Sequence, residues 1–327
     1  RELIPPGAVG NLLQLHPDFP ADWDAWDIDA FYRNTREDLV AAERIVLEHA
    51  GPDETALRIE RSFGRSRAVQ TIRLARGERR VEFSVEIDWQ EQERLLKLAF
   101  PFDLAAPCET GEIQFGHVSR PTHQNTSWDA ARFELCAHRF IHLAEAGYGV
   151  AVANDASYGH DVTRQPRPGG GVSTVLRHSL LRGPRFPDPG ADRGVHRFGF
   201  ALAPGATLAD AVAEGCRLNL PLRRVRGAHP AAPLVCFDHP AVIVEAVKLA
   251  EDRSGDLIVR CYESLGGRVR ARCTAAFPLL EASRADLLER DLGPIDLATE
   301  AGDCFDLPLR PFEIATLRLR PAIRAVP

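Results

Sequence analysis

The sequence predicts an all-β protein of sandwich architecture, and two observations carry this prediction. In residues 81–89 five apolar side chains alternate with four polar ones, and residues 57–63 show the same alternation. A period of two over that length is typical of a strand with one face buried in an antiparallel sheet. The apolar positions of the first segment are Val81, Phe83, Val85, Ile87 and Trp89.

Turn residues separate the strand-like segments in the pattern of hairpins. Residues 75–80 are predicted to connect two strands, because Gly77 can take the positive φ that a tight turn requires. We expect a second hairpin in which the segments 257–263 and 268–277 meet around Gly266. Repeated strand-and-turn units of this kind favour sheets packed in layers.

Helical patterns are few. Residues 34–50 fit one helix, opened by a weak capping box from Thr35 to Asp38, or a short helix that turns into a strand. Residues 207–221 are predicted to begin as a helix, and residues 283–290 to form a single helical turn.

A change in composition near residue 225 predicts two domains. Residues 223–233, "RRVRGAHPAAP", are rich in Arg, Ala and Pro and interrupt the apolar pattern, as linkers do. A chain of 327 residues is long enough for two hydrophobic cores. We therefore predict one domain over residues 1–225 and a second over residues 226–327.

Composition excludes several classes of partner. The net charge of −6 argues against nucleic acid or an anionic membrane as the main partner, and no apolar run approaches the ~20 residues that cross a bilayer. The seven cysteines are scattered without a CxxC pair, which is typical of reduced thiols in a cytoplasmic protein. Because the chain begins with Arg and contains no Met, we expect it to be a piece of a longer protein.

Two segments match metal sites only in part. His138 and His142 have the spacing of zinc ligands on one helical face, but the glutamate of HExxH is missing and the segment also fits a strand. The acidic run "PDFPADWDAWDID" lacks the central glycine and closing glutamate of a calcium-binding loop. We therefore predict that this chain binds no metal and no cofactor.

Residues 22–29 of that acidic run alternate carboxylates with indoles. Trp26 would stack on the apolar face of a sugar ring, while Asp24 and Asp27 would accept hydrogen bonds from its hydroxyls. The alternative is an interface in which the tryptophans pack against a neighbouring domain and the aspartates cap backbone N–H groups. The sequence leaves both open.

Residues 120–129 form an unusually polar stretch around one aromatic residue. The segment "RPTHQNTSWD" combines Arg120, His123 and Asn125 with Trp128. Amides, charged groups and one aromatic platform suit a polyhydroxylated ligand. The alternative is a loop whose side chains cap their own backbone.

Long motifs of the sequence resemble one known family. The segments "LLQLHPDFPADWDAWDIDAFY", "EIQFGHVSRPTHQNTSWDAARFELCAHRF" and "PAVIVEAVKLAEDRSGDLIVRCYE" are similar, in the same order, to the C-terminal half of glycoside hydrolase family 38 α-mannosidases. The closest likeness is to the bacterial and cytosolic branch. The resemblance covers essentially all 327 residues.

The resemblance implies a fold and a division of labour. Residues 1–225 would form a mutarotase-like β-super-sandwich, with residues 1–35 as an interdomain segment, and residues 226–327 a smaller C-terminal β-sandwich. In this family the zinc ion, its His and Asp ligands and the nucleophilic Asp belong to an N-terminal α/β domain. The resemblance therefore implies a catalytic domain in cis, with zinc bound there and no catalytic residue in this chain.

The resemblance also implies which loops reach the substrate. The family's loop with an Arg-Gly pair after an acidic residue matches "ADRG", which gives Asp192 and Arg193 a substrate-contacting role. Residues 120–128 match a second loop that faces the cleft. Residues 22–29 are expected at the same interface.

The function predicted from this resemblance is that of the C-terminal portion of a retaining α-mannosidase. It would be non-catalytic alone and would shape a cleft for a mannose-containing glycan. Two alternatives stay open: a free-standing carbohydrate-binding module, and an aldose epimerase-like enzyme that uses His117, His123 or His196 with a glutamate. A homo-oligomer also stays open.

Overall fold

Antiparallel strands make up most of the computed structural model, which describes residues 1–167, 169–223, 225–227, 232–298 and 302–322. The predicted all-β sandwich fold is therefore confirmed. The chain divides into two units. Unit 1 comprises Arg1–Glu112 and Val118–Pro221, and unit 2 comprises Ile113–His117 and Leu222–Pro327. The predicted linker, residues 223–233, lies partly outside the described residues, and the predicted boundary at residue 225 stays a prediction.

Unit 1 contains fifteen of the described strands, including a hairpin whose tip belongs to unit 2. They are β1 (Leu12–Pro17), β2 (Glu37–Asp38), β3 (Arg44–Ala50), β4 (Glu54–Phe63), β5 (Ser66–Ala75), β6 (Val81–Trp89), β7 (Arg94–Phe102), β8 (Cys108–Ile113), β9 (Gly116–Pro121), β10 (Leu135–Cys136), β11 (Phe140–Glu145), β12 (Tyr148–Asn154), β13 (Gly159–Pro166), β14 (Val172–Leu181) and β15 (Gly194–Pro204). Its helices are a 3-10 helix (Ala30–Asn34), α1 (Ser127–Ala131) and α2 (Leu208–Asn219).

The strands of unit 1 form two sheets that pack face to face. One has the order β10-β13-β14-β7-β1-β2, and the other the order β3-β4-β5-β6-β15-β12-β11-β8-β9. Phe100 of the six-stranded sheet meets Phe83 and Phe200 of the nine-stranded sheet, with ring centroids 5.5 and 6.3 Å apart. Burial of each such ring contributes roughly 1.5–3 kcal/mol.

The alternation in residues 81–89 corresponds to β6. Phe83, Val85, Ile87 and Trp89 are buried in the core, whereas the polar residues between them, Ser84, Glu86 and Asp88, are exposed. The Trp89 indole Nε1 donates to the Arg182 carbonyl at 2.9 Å, so the buried polar end of this side chain is satisfied. The Gly77 turn after β5 has a φ of +77°, as expected from the sequence.

The helical predictions have mixed outcomes. Helix α2 begins with a capping box in which Thr207 and Asp210 bond each other's backbone N–H groups, in agreement with the prediction for residues 207–221. Residues 34–50 are not one helix: the 3-10 helix ends at Asn34, and β3 begins at Arg44. Ile45 and Leu47 lie on the same face of β3, where they pair with Ile59 and Leu57 of β4.

The described strands of unit 2 form two further sheets. The strands are β16 (Val235–Phe237), β17 (Val242–Leu249), β18 (Leu257–Glu263), β19 (Val269–Ala275), β20 (Leu279–Ala285), β21 (Asp291–Ile295), β22 (Cys304–Leu309) and β23 (Ile314–Pro321). The sheet orders are β16-β19-β22 and β17-β18-β23-β20-β21. Val259 and Leu317 of the larger sheet share a core with Phe305 and Leu307 of the smaller one.

Two predictions in unit 2 are wrong. Strands β18 and β19 do not form a hairpin around Gly266, because β18 pairs with β17 and β23 whereas β19 pairs with β16 and β22. The segment between them crosses from one sheet to the other. Residues 283–290 do not form a helical turn, since β20 continues to Ala285 and a turn follows in which Asp286 Oδ1 accepts the Leu288 and Arg290 N–H groups.

Phe312 of unit 2 occupies a space that only glycines leave open. A Cβ atom on Gly116 or Gly266 would lie 2.8 Å from the Phe312 ring, closer than carbon atoms approach. His117 lies beside the same ring, with centroids 5.0 Å apart, and its Nδ1 is 3.1 Å from the Ser264 carbonyl oxygen.

Candidate functional site

The predicted site residues lie in two groups within unit 1. The first group surrounds Arg182, directly after β14, and the second surrounds a cleft between residues 122–125 and the 3-10 helix. The positions of these residues along the sequence do not indicate that they form these two groups.

Arg182 joins the acidic–aromatic stretch to the "ADRG" loop. Its guanidinium donates from Nε to Asp18 Oδ2 at 2.6 Å and from Nη2 to the Asp24 carbonyl at 3.0 Å. Its backbone N–H donates to Asp192 Oδ2 at 3.1 Å. One arginine therefore fixes residues that are more than 150 positions apart in sequence. We call Asp18, Asp24, Arg182, Phe186 and Asp192 the Arg182 cluster.

The carboxylates of residues 22–29 are engaged with backbone. Asp24 Oδ2 accepts the N–H groups of Arg185 and Phe186 at 2.8 and 3.0 Å, and Asp27 Oδ1 accepts that of Ile28 at 2.9 Å. Each carboxylate keeps a second oxygen that can accept a hydrogen bond from a ligand hydroxyl. These aspartates therefore cap backbone N–H groups, as one interpretation of the sequence expected. Their remaining oxygens can still accept hydrogen bonds from sugar hydroxyls, as the other interpretation expected.

Aromatic rings stand exposed beside the Arg182 cluster. Trp26 is 67% exposed and Phe186 65% exposed, with ring centroids 6.5 Å apart and planes at 61°. Trp23 is exposed as well, and its φ of +56° turns the chain sharply at this point. Exposed indole faces held by an ordered loop suit the apolar face of a sugar ring.

Arg193 lies on the neighbouring loop, and its side chain points to solvent. Asp192, before it, has a φ of +61°, and the Arg193 N–H donates to the Gly190 carbonyl at 3.3 Å. Its side chain is exposed, and no described residue forms a hydrogen bond or ion pair with the guanidinium. An arginine in this state has all five N–H donors available to a ligand.

Arg120 has a different environment from the other predicted residues. Its Nη1 donates to the buried Glu109 at 2.8 Å, and its Nη2 donates to the Cys136 carbonyl at 3.0 Å. Glu109 Oε2 is also 3.2 Å from His160 Nε2. The contacts of Arg120 are thus those of a residue that holds the base of its loop.

The rest of the 120–129 stretch caps α1 and displays Trp128. Thr126 Oγ1 accepts the Asp129 N–H at 3.1 Å, and His123 Nδ1 lies 3.4 Å from Asp129 Oδ2. Trp128, on α1, is 78% exposed. The segment therefore caps its own backbone and still presents one aromatic platform.

His123 and Asn125 line a cleft of about 550 Å³. Four arginines surround it, and we call it the arginine cleft. Its remaining lining residues are His16, Tyr32, Arg33, Arg36, Thr122, Gln124, Asp161, Thr163, Arg164, Gln165 and Arg177.

A buried ionic network supports the cleft. Asp161 accepts from Lys97 Nζ at 2.8 Å and from Arg177 Nη1 at 2.8 Å, while Lys97 also contacts Glu134. Burial opposes ionisation of Asp161, but the charges of Lys97, Arg177 and Arg33 hold its pKa well below the ordinary value. Burial likewise works against the ammonium of Lys97, whose pKa is nevertheless raised by the two carboxylates.

His16 lies at the cleft and is only 3% exposed. Its Nδ1 is 3.3 Å from the Tyr32 carbonyl and 3.2 Å from the Thr35 carbonyl, so Nδ1 carries the proton. Burial and the nearby charge of Lys97 lower the pKa of His16 to about 4, which keeps the ring neutral. The Nε2 lone pair has no partner among the described residues.

Sequence reasoning missed four residues that organise these groups: Arg182, Lys97, Arg177 and His16. Lys97 alone carried a signal, because it is one of two lysines and interrupts the apolar run of β7. A lysine in a strand buried on both faces requires buried partners.

The described residues contain no group of three or more His, Cys, Asp or Glu side chains that could hold a metal ion. His142 lies in β11, with Nε2 2.9 Å from the Ala206 carbonyl, and His138 packs against Tyr158 with ring centroids 5.2 Å apart. The segment is not helical, so the two imidazoles are not one turn apart. His138 and His142 therefore lack the helical geometry that their spacing in the sequence suggested for a zinc site. None of the described helices is long and apolar enough to cross a membrane.

Sequence profiles of two domains match the chain. The "Glycosyl hydrolases family 38 C-terminal domain" matches residues 1–190, and the "Glycosyl hydrolases family 38 C-terminal beta sandwich domain" matches residues 241–317. Together they extend over both units.

Relatives and solved structures match nearly the whole chain. Alpha-mannosidase 2C1 of Homo sapiens is 37% identical over 98% of this chain, and Alpha-mannosidase G of Dictyostelium discoideum is 31% identical over 97%. The chain spans 31% and 30% of those two proteins. A glycosyl hydrolase family 38 protein from Enterococcus faecalis shares the fold, with a TM-score of 0.69, 17% identity and coverage of 94% of this chain and 40% of that one. From its sequence, its fold and the match over residues 1–190, the chain belongs to glycosyl hydrolase family 38 and represents the C-terminal domains of that family.

Proposed function

We propose that this chain is the C-terminal portion of a retaining α-mannosidase, an enzyme that hydrolyses α-linked mannose. The observation that carries the proposal is its similarity, along nearly its whole length, to proteins named α-mannosidase. In this proposal the chain is non-catalytic alone and shapes the substrate cleft of the full-length protein.

The Arg182 cluster and the loop beside it form one wall of that cleft. Arg193 donates hydrogen bonds to sugar hydroxyls, since its guanidinium has no other described partner. Asp24, Asp27 and Asp192 offer carboxylate oxygens, and Trp26 offers a stacking face. Their contribution is to position the glycan, which lowers the barrier without bond-making by these residues.

Residues 120–128 form a second contact region for the glycan. His123 and Asn125 contact it from the arginine cleft, and Trp128 stacks on it. Arg120 acts through its bonds to Glu109 and Cys136, which hold the base of the loop. Arg120 is thus a positioning residue in this proposal.

The chemistry belongs to an N-terminal catalytic domain in cis. A retaining glycosidase needs a nucleophilic carboxylate and an acid/base carboxyl ~5 Å apart, on either side of the scissile bond. Zinc belongs to that domain as well. We place the full-length protein in the cytoplasm, because Cys108, Cys136 and Cys236 are exposed and form no disulfide with any described residue.

Hydrolysis of an aryl α-mannoside tests the proposal. The full-length protein should release the aryl group with retention of configuration, and a chelator should abolish turnover. The 327-residue chain alone should be inactive with or without added zinc. Absence of turnover by the full-length, zinc-loaded protein would overturn the mannosidase assignment; turnover by the 327-residue chain would overturn its non-catalytic role.

A free-standing carbohydrate-binding module is the second candidate, and the exposed faces of Trp26 and Trp128 favour it. It predicts that the 327-residue chain binds mannosides and that the full-length protein does not hydrolyse them. An epimerase has less support. It needs a glutamate beside a histidine, and the described lining of the cleft beside His123 contains none. His196 is 2.7 Å from the Asp192 carbonyl, and His117 belongs to unit 2.

A further inference from the structure

The arginine cleft is positively charged although the chain as a whole is acidic. Arg33, Arg36, Arg164 and Arg177 line it, and Lys97 lies behind Asp161. Among the described residues, the ion pairs of these cations involve three carboxylates, which are those of Asp161, Glu134 and Asp38. A concave surface with excess positive charge attracts an anion.

The arginines also retain donors for a ligand. Arg164 uses Nε for Thr122 and Nη2 for the Pro107 carbonyl, which leaves Nη1 without a described partner. The described contact of the Arg36 guanidinium is that of Nε, 3.2 Å from Asp38 Oδ1, and its side chain is 44% exposed. Fixed guanidinium groups with free N–H bonds suit a carboxylate or a phosphate group, which they recognise by paired hydrogen bonds.

The buried Nε2 of His16 is a second, independent observation. It is a neutral acceptor on a residue that lines the cleft, and a buried polar atom without a hydrogen bond is destabilising. A hydroxyl of a ligand, or a water that the ligand covers, supplies the missing donor. The lining therefore offers N–H donors to an anionic group and one acceptor to a hydroxyl.

We propose that the arginine cleft binds a carbohydrate that carries one anionic group, a sugar phosphate or a sugar acid. The anionic group lies between Arg36 and Arg164, and a hydroxyl or its bound water donates toward His16. A cleft of about 550 Å³ is within the range of small-molecule sites, ~300–1,000 Å³. His123 and Asn125, at the same cleft, supply further hydrogen bonds.

This inference deepens the proposed function by assigning a ligand class to the cleft. It rests on the proposed function only in taking the ligand to be a carbohydrate. Calorimetry measures binding and does not depend on turnover. A negative binding experiment therefore contradicts the ligand proposal, and a negative hydrolysis experiment contradicts the proposed function.

The test is isothermal titration calorimetry of the full-length protein at low ionic strength. The probes are D-mannose 6-phosphate, D-glucuronate, D-mannose and inorganic phosphate. We expect saturable 1:1 binding of at least one anionic sugar, with mannose and phosphate at least ~10-fold weaker. Preference between the first two probes tells a phosphate ligand from a carboxylate ligand. Equal binding of inorganic phosphate or of mannose would overturn the proposal, as would no binding of either anionic sugar at millimolar concentration.

Variants locate the binding in the arginine cleft. Arg36→Ala should weaken binding of the anionic sugar at least ~10-fold with little change in melting temperature, because Arg36 is exposed. His16→Asn keeps a donor near the Nδ1 position and removes the Nε2 acceptor, so it should weaken binding as well. Arg197→Ala is the control, since Arg197 is an exposed arginine that pairs with Glu86 outside the cleft. Unchanged affinity in Arg36→Ala would overturn the assignment even if His16→Asn failed to fold.

Discussion

Lys97 and Asp161 form an ion pair inside the sandwich of unit 1, with Nζ 2.8 Å from Oδ2 and side chains that are 0% and 1% exposed. Glu134 contacts the same ammonium, and Tyr32 OH donates to Glu134 at 2.5 Å. Removing one member of such a network leaves a buried charge without compensation, which costs more than the pair contributes. The network also carries Arg33 and Arg177, so it fixes the geometry of the arginine cleft.

The two lysines of the chain provide a matched test of this network. Lys97→Met should lower the free energy of unfolding by roughly 3–5 kcal/mol, because Asp161 and Glu134 lose their shared cation. Lys248→Met removes a pair with the exposed Glu251 and a partly buried pair with Glu289, and because Lys248 itself reaches solvent the variant should lose less stability than Lys97→Met. Urea denaturation of both variants measures the difference. Equal losses would contradict the structural role of the Lys97 network.

Secondary structure was predictable from the sequence where it depends on residues close together in the chain. The alternation of β6 and the Thr207–Asp210 cap of α2 depend on neighbours within a few residues. The hairpin expected around Gly266 failed for the opposite reason. A glycine turn between two strands does not by itself determine which strands pair. Here β18 pairs with β23 and β19 pairs with β22, and these pairs belong to separate sheets.

The site was predictable only in part, because its organising contacts are long-range. Arg182 and Asp18 are 164 positions apart, and no periodicity records their 2.6 Å bond. The resemblance to family 38 singled out the "ADRG" loop and residues 22–29, and the structure joins them through Arg182. It said nothing about Arg36, Arg164 and Arg177, whose common location follows from the fold alone.

Metal content is the second prediction. The purified 327-residue chain should contain no stoichiometric zinc, because the described residues offer no set of three ligands. The full-length protein should contain zinc in its catalytic domain. Elemental analysis after dialysis measures both. One tightly held zinc per 327-residue chain would restore His138 and His142 as candidate ligands.

Arg193→Ala is the third prediction. In the full-length enzyme it should lower kcat/KM by roughly 10- to 100-fold, the expected loss for a guanidinium that bonds sugar hydroxyls. The melting temperature should barely move, because the side chain is exposed and has no described partner. Arg197→Ala, four residues along the chain, is the matched control and should leave the kinetics unchanged.

A structural role for Arg193 predicts the reverse result. Pairing with Asp188 or Asp192 would make the variant less stable and leave its kinetics intact. In the structure those carboxylates accept the backbone N–H groups of Gly190 and Arg182 instead. A clear drop in melting temperature with unchanged kinetics would end the assignment of Arg193 to the cleft.

The last prediction concerns the pH dependence of stability through His16. Burial lowers its pKa in the folded protein to about 4, from the 6.5 of an unperturbed histidine. Below pH 6.5 the unfolded chain therefore binds a proton that the folded protein does not bind. The stability contributed by the neutral ring is complete above pH 6.5 and is lost as the pH falls toward 4, by an amount on the order of 3 kcal/mol.

The comparison of wild type with His16→Asn isolates this contribution from other titrating groups. At pH 7 the variant should be less stable, because it loses buried imidazole packing against Tyr32. The difference in the free energy of unfolding should narrow between pH 7 and pH 4, since only the wild type has a buried imidazole at this position to protonate. Urea denaturation at several pH values measures the difference. A constant difference over that interval would mean that His16 has an ordinary pKa in the folded protein, and hence that its Nε2 is solvated rather than buried beneath the arginine cleft.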